Sequence, residues 1–415
     1  MPTLIRTLIA SIAAIGAASA MATTTLTVAS FPSFDESVKI AIPLYKKLHP
    51  DVEIRLVSLA FADHHNAMTT SLATGANLPD VMGLEIGYIG KFAESGGLED
   101  LAAAPYNALQ YRTKFHAFTV PQAMNPAGGL VAMPADVGPG TLFYRKDLLE
   151  KAGLTEADLT KSWESFIESG KVLRQKTGAY LLAGASDIFS IYIRTGLKPG
   201  EGLYFDKDGK SLLNTPRFKH AMELARAARK ADIDAKVGAW SSEWSEAFKR
   251  SQLAAQMSGA WLAGHFETWL APNTRGLWRV AQLPGNSYGS WGGSFYAIPK
   301  KAQHKAEAWE FIKFMSMNRQ MQLEAFKKMS AYPALVETQN DPFFDAPVEF
   351  LGGQKARQLW KTATSKIPAI KVDRYDAMAQ EIIGGALDDV LEDDKDIDKA
   401  LAEADEKLKR RVRRR

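Results

Sequence analysis

The sequence predicts an α/β protein built as two lobes. Its N-terminal part alternates strand-like and helix-like segments, which is typical of a layered domain with a largely parallel sheet. The chain has 415 residues, of which 46% are hydrophobic, and single hydrophobic cores stop growing at roughly 250–300 residues. No internal repeat, low-complexity stretch or Pro- or Ser-rich tether separates two modules. We therefore expect two lobes and a chain that crosses between them more than once.

Three strand-like runs begin the predicted fold. Residues 24–29 and 52–57 alternate polar and apolar side chains, and residues 80–84 form a third, mostly apolar run. Residues 34–48 and 68–74 have helical patterns and lie between these strands. The order strand, helix, strand, helix, strand predicts parallel strand pairing.

Helices are predicted to dominate the middle of the chain. One begins with Thr215 as N-cap and Pro216 at the first helical position, a preferred combination. Another is predicted over residues 305–317, where apolar side chains recur at helical spacing. The sequence Asp-Lys-Asp-Gly at 206–209 predicts a hairpin turn between short strands.

The first 22 residues have the composition of a secretory signal peptide. Arg6 precedes an apolar stretch over residues 8–18, and Ala20 and Ala22 mark two candidate cleavage points. A transmembrane anchor is the alternative, but the apolar run is shorter than the roughly 20 residues that a span needs. No other stretch is long and apolar enough to cross a bilayer. We therefore expect cleavage after Ala20 or Ala22 and no membrane insertion.

The chain contains no cysteine. This excludes disulfides, thiolate catalysis, cysteine-rich zinc sites and lipidation on a cysteine after the signal peptide. The sequence therefore predicts a freely diffusing protein of a Gram-negative periplasm. We also expect the protein to be a monomer.

Positive charge is concentrated at the C-terminus. Six of the residues 409–415 are Lys or Arg, and Arg6 lies in the predicted signal peptide, so subtracting these seven charges from the net +4 leaves −3 for the body. A mildly acidic body is not typical of a nucleic-acid-binding protein. Two interpretations of the basic tail stay open, a solvated terminus and a contact with anionic lipid head groups.

The common catalytic motifs are missing from the sequence. It has no G-x-G-x-x-G after a strand, no P-loop, no H-E-x-x-H, and no G-x-S-x-G elbow at a predicted strand-to-helix turn. His64 and His65 are the one adjacent histidine pair, and we expect them in an exposed loop rather than at a metal. Two carboxylates brought together in space could still form a glycosidase pair, which sequence cannot show. We expect no catalytic residue, no metal and no cofactor.

Tryptophans cluster between residues 240 and 291. Sugar rings stack their flat C–H faces on aromatic side chains, and their hydroxyls hydrogen-bond to carboxylates, amides and backbone groups. Six tryptophans fall in this segment, namely Trp240, Trp244, Trp261, Trp269, Trp278 and Trp291. Small residues surround Trp291 and are expected to leave its ring uncovered.

Several segments in order resemble the extracellular solute-binding proteins of carbohydrate ABC importers, the family that includes the maltose-binding proteins. The matching segments are residues 80–82 with 92–98, 141–149, 162–166, 247–261, and 292–299 with the helical 306–315. They keep the family's order across nearly the whole predicted mature chain. Two departures occur, Arg145 where Asn is common and residues 250–252 in place of a Gly-containing turn.

The resemblance implies a type II periplasmic-binding-protein fold, in which crossover strands join two α/β lobes and a hinge motion clamps ligand between them. It places the crossovers near residues 133–139, 284–290 and 330–333. The implied division is a signal peptide at 1–22, lobe 1 at 23–135 plus 288–331, lobe 2 at 136–287 plus 332–408, and a basic tail at 409–415.

The resemblance also implies where ligand binds. Trp261 matches the family's stacking aromatic, and Trp291, Gly292 and Gly293 lie at the second crossover. Glu85, one turn past the third strand, and Asp136, at the first crossover, are the expected acceptors for sugar hydroxyls. A helix cap or a surface ion pair is the alternative role for these two carboxylates. The remaining candidates are taken as loop residues at places where relatives contact ligand, namely Asp63, Phe34, Trp240 and Tyr332.

The expected function is therefore capture of a sugar or short oligosaccharide and its delivery to an ABC permease. A secreted carbohydrate-active enzyme, or the same fold binding a polyamine or amino acid, is the alternative. Ferric iron usually needs adjacent tyrosines in the cleft, and polyamines need several carboxylates, so the tryptophans favour sugars. Lone arginines could bind an acidic sugar if they line the cleft, namely Arg112, Arg145, Arg194 and Arg275.

Overall fold

The computed structural model describes residues 23–198 and 200–413. The predicted signal peptide, residues 1–22, and the last two residues of the basic tail lie outside this part of the chain. The α/β class is confirmed, because a mixed sheet is surrounded by helices along the whole described chain. Among the described residues, no helix combines the length and the hydropathy that crossing a membrane requires.

Strands and helices alternate at first, and helices dominate later. The strands of the described residues are β1 (Thr24–Ser30), β2 (Val52–Ser58), β3 (Val81–Glu85), β4 (Met133–Arg145), β5 (Ala255–Gly259), β6 (Trp278–Ala281), β7 (Ser290–Ala297) and β8 (Tyr332–Pro333). The helices are α1 (Phe34–Leu48), α2 (Phe61–Thr74), α3 (Ile86–Ala93), α4 (Thr119–Gln122), α5 (Lys146–Ala152), α6 (Glu156–Thr160), α7 (Trp163–Thr177), α8 (Ser186–Tyr192), α9 (Pro216–Lys230), α10 (Ser242–Lys249), α11 (Leu262–His265), α12 (Lys305–Met317), α13 (Arg319–Met329), α14 (Ala356–Lys366), α15 (Asp376–Glu392) and α16 (Ile397–Arg413).

The strands form one continuous sheet with the order β2-β1-β3-β7-β4-β5, and β6 and β8 pair with β4. Strand β1 pairs in parallel with β2 and β3, as the sequence predicts. Strand β7 is antiparallel to both β3 and β4. Strand β4 is long enough to continue past β7 and to pair there with β5 and β6, again antiparallel.

The prediction of mostly parallel sheets is therefore wrong in detail. On the β5 side of the sheet every strand pairing described is antiparallel, and on the β1 side the pairings are mixed. The cause is the path of the chain, because β4 leaves the first group of strands and β7 returns to it in the opposite direction. Isolated parallel bridges, such as the one between Leu182 and Asp234, lie beside the second group.

Elements with a clear local pattern are confirmed. Helix α9 has Thr215 as N-cap and Pro216 in its first turn, and α12 spans the predicted residues. The backbone at Asp206 folds back onto Lys210, and Phe205 bridges Ser211, as expected of a small hairpin.

The start of α2 corrects the prediction for the histidine pair. The helix begins at Phe61 rather than near Met68, and both His64 and His65 are buried on it. They were expected in an exposed loop. No side chain caps the start of this helix, whose N-cap is Ala60, so the local signal for its beginning is missing.

Two hydrophobic clusters form the core. One surrounds β1, β3 and β7 and includes Val28, Phe92 and Tyr296. The other includes Leu142, Phe166 and Ile383. The first cluster also takes in aromatic residues of the predicted second lobe, among them Trp278 and Trp360. The residue limits of the two lobes stay a prediction.

Candidate ligand-binding site

Three polar side chains lie on one row across adjacent strands. Glu85 at the end of β3 pairs with Ser294 of β7, and Ser294 pairs in turn with Asp136 of β4. Residues opposite each other in a sheet point to the same face, and strands are about 4.8 Å apart. The Cα atoms of the two acidic residues are therefore roughly 10 Å apart, with the serine between them. We call Glu85, Ser294 and Asp136 the carboxylate row.

Glu85 caps a helix as well as ending a strand. Its Oε2 accepts a hydrogen bond from the backbone N–H of Gly87 at 2.7 Å, which makes Glu85 the N-cap of α3. It lies at the last position of β3 rather than one turn past it. Burial raises the pKa of this carboxyl to about 7; the nearby Arg194 counteracts the rise and Asp136 adds to it. The cap engages one oxygen, so the other is the one that can accept from a ligand.

Asp136 lies in a similar environment. Burial raises the pKa of its carboxyl to about 6, and hydrogen bonds from Ser294 oppose that rise. Ser294 itself is buried. The row thus presents two carboxyls that hold a proton more tightly than carboxyls in water do.

His65 holds the backbone of Glu85 in place, a role that sequence reasoning missed. The N–H of Glu85 donates to His65 Nε2 at 3.2 Å, so Nδ1 carries the proton and donates to the carbonyl oxygen of Phe61 at 2.7 Å. The imidazole stacks on Tyr88, with ring centroids 3.9 Å apart. Burial lowers the pKa of His65 to about 4, which keeps this neutral tautomer at ordinary pH.

A second surface is aromatic. Trp240 is 55% exposed and Trp269 is 42% exposed. The rings of Trp240 and Trp261 stack with centroids 5.7 Å apart and 27° between planes. His265 lies among them and accepts a hydrogen bond from Trp269 Nε1 at 2.9 Å. We call Trp240, Trp261, His265 and Trp269 the tryptophan face.

Trp240 has a backbone conformation that bulky residues rarely adopt. Its φ is 71°, in the left-handed region. The buried Trp244 packs against its ring with centroids 5.0 Å apart and 43° between the planes, a tilted contact rather than a stack. Strain held at an exposed aromatic residue is an observation that suggests function.

Strand β7 connects the two surfaces. Its Trp291 accepts a hydrogen bond at the carbonyl oxygen from Trp261 Nε1, at 3.0 Å. Three residues further along the same strand comes Ser294 of the carboxylate row. The Arg194 guanidinium lies over the Trp291 ring, 5.0 Å from its centroid. The ring of Trp291 is half-buried, so its small neighbours leave it less open than the sequence suggests.

Two glycines in β7 allow this strand to pass close to the tryptophan face. Gly292 has φ 85°, and a Cβ there would lie 3.2 Å from Trp261 Nε1. Gly293, with φ 139°, continues the same irregular stretch and pairs with Val137. Both residues therefore shape the site through the backbone.

The remaining candidates are scattered, and three of the four are not loop residues. Phe34 is the first residue of α1, and its buried ring stacks on Tyr296 at 4.7 Å. Asp63 is exposed in the first turn of α2. Tyr332 lies in β8 and is 0% exposed; its hydroxyl accepts from Gln339 Nε2 at 3.0 Å. Trp240 alone lies in a turn.

Partly open pockets adjoin this region of the fold. One of about 20 Å³ lies behind Asp136, lined also by Phe34 and Gln322, and has room for a single water molecule. Another, of about 180 Å³, lies between α3 and Lys371. In the described part of the chain, no group of three His, Cys, Asp or Glu side chains is placed to hold a metal ion.

A mixed sheet that passes through two groups of strands, with aromatic and acidic side chains along the shared strands, defines a two-lobe solute-binding protein. Comparison with known families agrees. The model of the bacterial extracellular solute-binding proteins matches residues 29–322, and the chain belongs to this family.

Individual relatives are distant but cover most of the chain. A lactose-binding protein of Rhizobium radiobacter is 25% identical over 355 residues, which are 82% of this chain and 81% of the relative. A crystal structure of an extracellular solute-binding protein of family 1 superposes with a TM-score of 0.79 at 23% identity, covering 93% of this chain and 99% of the other. An ABC-transporter-associated binding protein of B. animalis subsp. lactis Bl-04, in complex with β-1,6-galactobiose, gives 0.77 at 20% identity, covering 93% and 97%.

Proposed function

We propose that this protein captures a disaccharide or short oligosaccharide between its two lobes and delivers it, unchanged, to the permease of an ABC importer. The observation that carries the proposal is the stack of the exposed Trp240 on the half-buried Trp261, which is joined through β7 to the carboxylate row. Aromatic rings provide the flat apolar surface that a sugar face needs, and the carboxylate row provides acceptors for its hydroxyls.

The contacts between distant segments favour a ligand held between lobes. Ser33 Oγ, just before α1, lies 3.5 Å from His265 Nε2 of the tryptophan face. Arg194, which follows α8, acts on the charge of Glu85 at the end of β3. We propose that residues 23–135 plus 288–331 form one lobe and 136–287 plus 332–408 the other, and that closure brings these groups around the sugar.

The charges argue against a polyamine. A polycation needs several ionised carboxylates, whereas burial raises the pKa of both Glu85 and Asp136. The positive charge of Arg194 also lies near Glu85. A neutral sugar fits this combination of charges better than a polycation does. The names of the relatives, one for lactose and one in complex with β-1,6-galactobiose, support the same class.

An enzyme remains the alternative function from another class, since the row contains two carboxyls. Family membership favours binding without reaction. We further propose that residues 1–22 are removed after Ala20 or Ala22, that the chain then works in the periplasm as a monomer, and that neither metal nor cofactor takes part.

A thermal-shift screen of the chain from Thr23 onward tests the proposal. The panel contains mono-, di- and oligosaccharides, amino acids and polyamines, because a ligand that binds the folded state raises Tm by mass action. We expect a di- or oligosaccharide to raise Tm and to be recovered intact, as mass spectrometry of the supernatant would show. A shift by amines or amino acids alone would make the ligand class wrong, and cleaved sugar would show an enzyme.

A further inference from the structure

The C-terminal end of α16 carries more positive charge than stabilisation of the helix end requires. Seven of the residues 407–415 are Lys or Arg. Helix α16 continues to Arg413, so five of these residues lie on an ordered helix. We call Lys407, Arg410, Arg411 and Arg413 the basic helix end; all four are exposed.

Most of these cations lack acidic partners. Arg411 pairs with Glu381 at 3.4 Å, and the half-buried Lys409 pairs with Asp405 and Glu406. Among the residues that the structure describes, Lys407, Arg410 and Arg413 make no ion pair or side-chain hydrogen bond. Their charges are therefore available to a partner.

The opposite face of the same helix is fixed to the protein. Ile397, Leu401 and Leu408 are buried in the second hydrophobic cluster. Packing against α15 adds to that anchorage. The basic helix end is thus a rigid projection from the fold.

The favourable interaction of cations with the helix dipole does not account for all the positive charge at the end of α16. Cations in the last turn interact favourably with the helix dipole, but that effect falls off within one turn and each contributes about 0.3–1 kcal/mol. Lys407 lies before the last turn, and Arg414 and Arg415 continue the run beyond the described helix. Like charges so close together repel one another, so an external anion is the natural complement.

We propose that the basic helix end binds the anionic head groups of a glycerophospholipid bilayer and holds this receptor at the membrane surface. The body of the protein is mildly acidic, so the attraction is confined to this end. A Lys or Arg near an anionic membrane contributes about fivefold in affinity.

Vesicle co-sedimentation tests the proposal. The mature chain is mixed with vesicles of phosphatidylglycerol and phosphatidylcholine in equal parts, and separately with phosphatidylcholine alone. We expect binding to the anionic vesicles only, and its loss in 1 M salt, where the Debye length falls to about 3 Å. Replacing Lys407, Arg410 and Arg413 by Gln should weaken binding by about a hundredfold, from roughly fivefold for each charge.

A matched variant separates position from net charge. Lys151, Lys176 and Lys300 are exposed and make no side-chain ion pair among the described residues. Their replacement by Gln removes the same charge and should change vesicle binding less than twofold. Both variants should keep the Tm of the parent and its response to the sugar found in the screen, so failure here is distinct from failure of the proposed function.

Three results would overturn the proposal. They are equal losses in the two variants, equal binding to the neutral vesicles, and no binding to phosphatidylglycerol while lipopolysaccharide or nucleic acid is bound.

Discussion

At the scale of single residues, the site combines two kinds of stored free energy. Two half-buried carboxyls flank Ser294 on one face of a sheet, and a tryptophan is held at φ 71°. Each costs stability in the free protein. In the proposed function, a sugar offsets the cost at the carboxyls by supplying hydrogen bonds to them, and it stacks on the exposed tryptophan.

Replacing Trp240 by Gly tests the stacking role. Glycine adopts positive φ without strain, and Trp240 is mostly exposed, so we expect Tm to be unchanged or slightly higher. Sugar affinity should fall about 10- to 100-fold, because one stacking face is lost. Isothermal titration calorimetry measures it, with the exposed Val172→Ala as control. Unchanged affinity would exclude Trp240 from the site.

Replacing Glu85 by Gln tests the carboxylate row through pH. Below the ordinary pKa of 4.5 the carboxyl is protonated in both the folded and the unfolded chain. Between pH 4.5 and the folded pKa of about 7 the unfolded chain ionises first, so the parent loses stability as the pH rises.

Glutamine keeps the cap to Gly87 but cannot ionise. The Tm of Glu85→Gln minus that of the parent should therefore be near zero at pH 4.5, rise by about 1–3 °C up to pH 7, and stay level above it. The exposed Glu337→Gln is the control. A difference that does not vary with pH would show that the surroundings of Glu85 do not raise its pKa.

At the scale of elements, β4 and β7 meet through glycine. Gly138 lies where β4 passes β7, and a Cβ there would be 1.8 Å from the carbonyl oxygen of Trp291. Next to it, the N–H of Gly140 donates to the carbonyl oxygen of Gly289 at 2.9 Å. The two crossing strands therefore approach more closely than any side chain would allow.

Gly138→Ala should separate these strands. We expect a loss of about 1–3 kcal/mol in the free energy of unfolding, as in an overpacked core, and weaker sugar binding because Trp291 shifts. Gly385→Ala on the exposed side of α15, where a Cβ meets nothing within 4 Å, is the matched control. It should be neutral or stabilising by about 0.5–1 kcal/mol. Urea denaturation compares the two; equal stability would contradict the close crossing.

Local patterns explain which elements the sequence predicts correctly. Alternation identified β1 and β2, and the cap and proline before α9 identified its start. The sequence predicts α2 too short at its start, because Ala60 gives no signal of a helix cap. The direction of β7 depends on the path of the whole chain. The local sequence pattern of a strand therefore could not predict that the sheet is mixed.

For the site as well, local sequence segments identify residues, whereas long-range pairing decides which residues come together. Glu85, Asp136, Trp240 and Trp261 come from recognisable segments, and the structure places them along β3, β4 and the tryptophan face. Sequence could not reveal that Ser294 lies between the two carboxyls, because strand register is set by pairing over long distances. It also missed His65, whose hydrogen bond to Glu85 joins residues 20 positions apart.

At the scale of the whole molecule, the proposed lobes are joined by strands rather than by a flexible tether. Strand β4 runs without a break through both groups of strands, while β7 and β8 pair beside its first half. Such a connection can bend while it keeps the carboxylate row and the tryptophan face at a fixed position along the shared strands. Ligand closes the lobes only if it binds the closed form more tightly than the open one.

Small-angle X-ray scattering of the chain from Thr23 onward, with and without each sugar of the screen, measures this closure directly. We expect a di- or oligosaccharide to lower the radius of gyration at saturation, and Trp240→Gly to shift this fall to higher sugar concentration. A radius of gyration that no sugar lowers, while an amine or amino acid does lower it, would contradict a sugar receptor with a closing cleft.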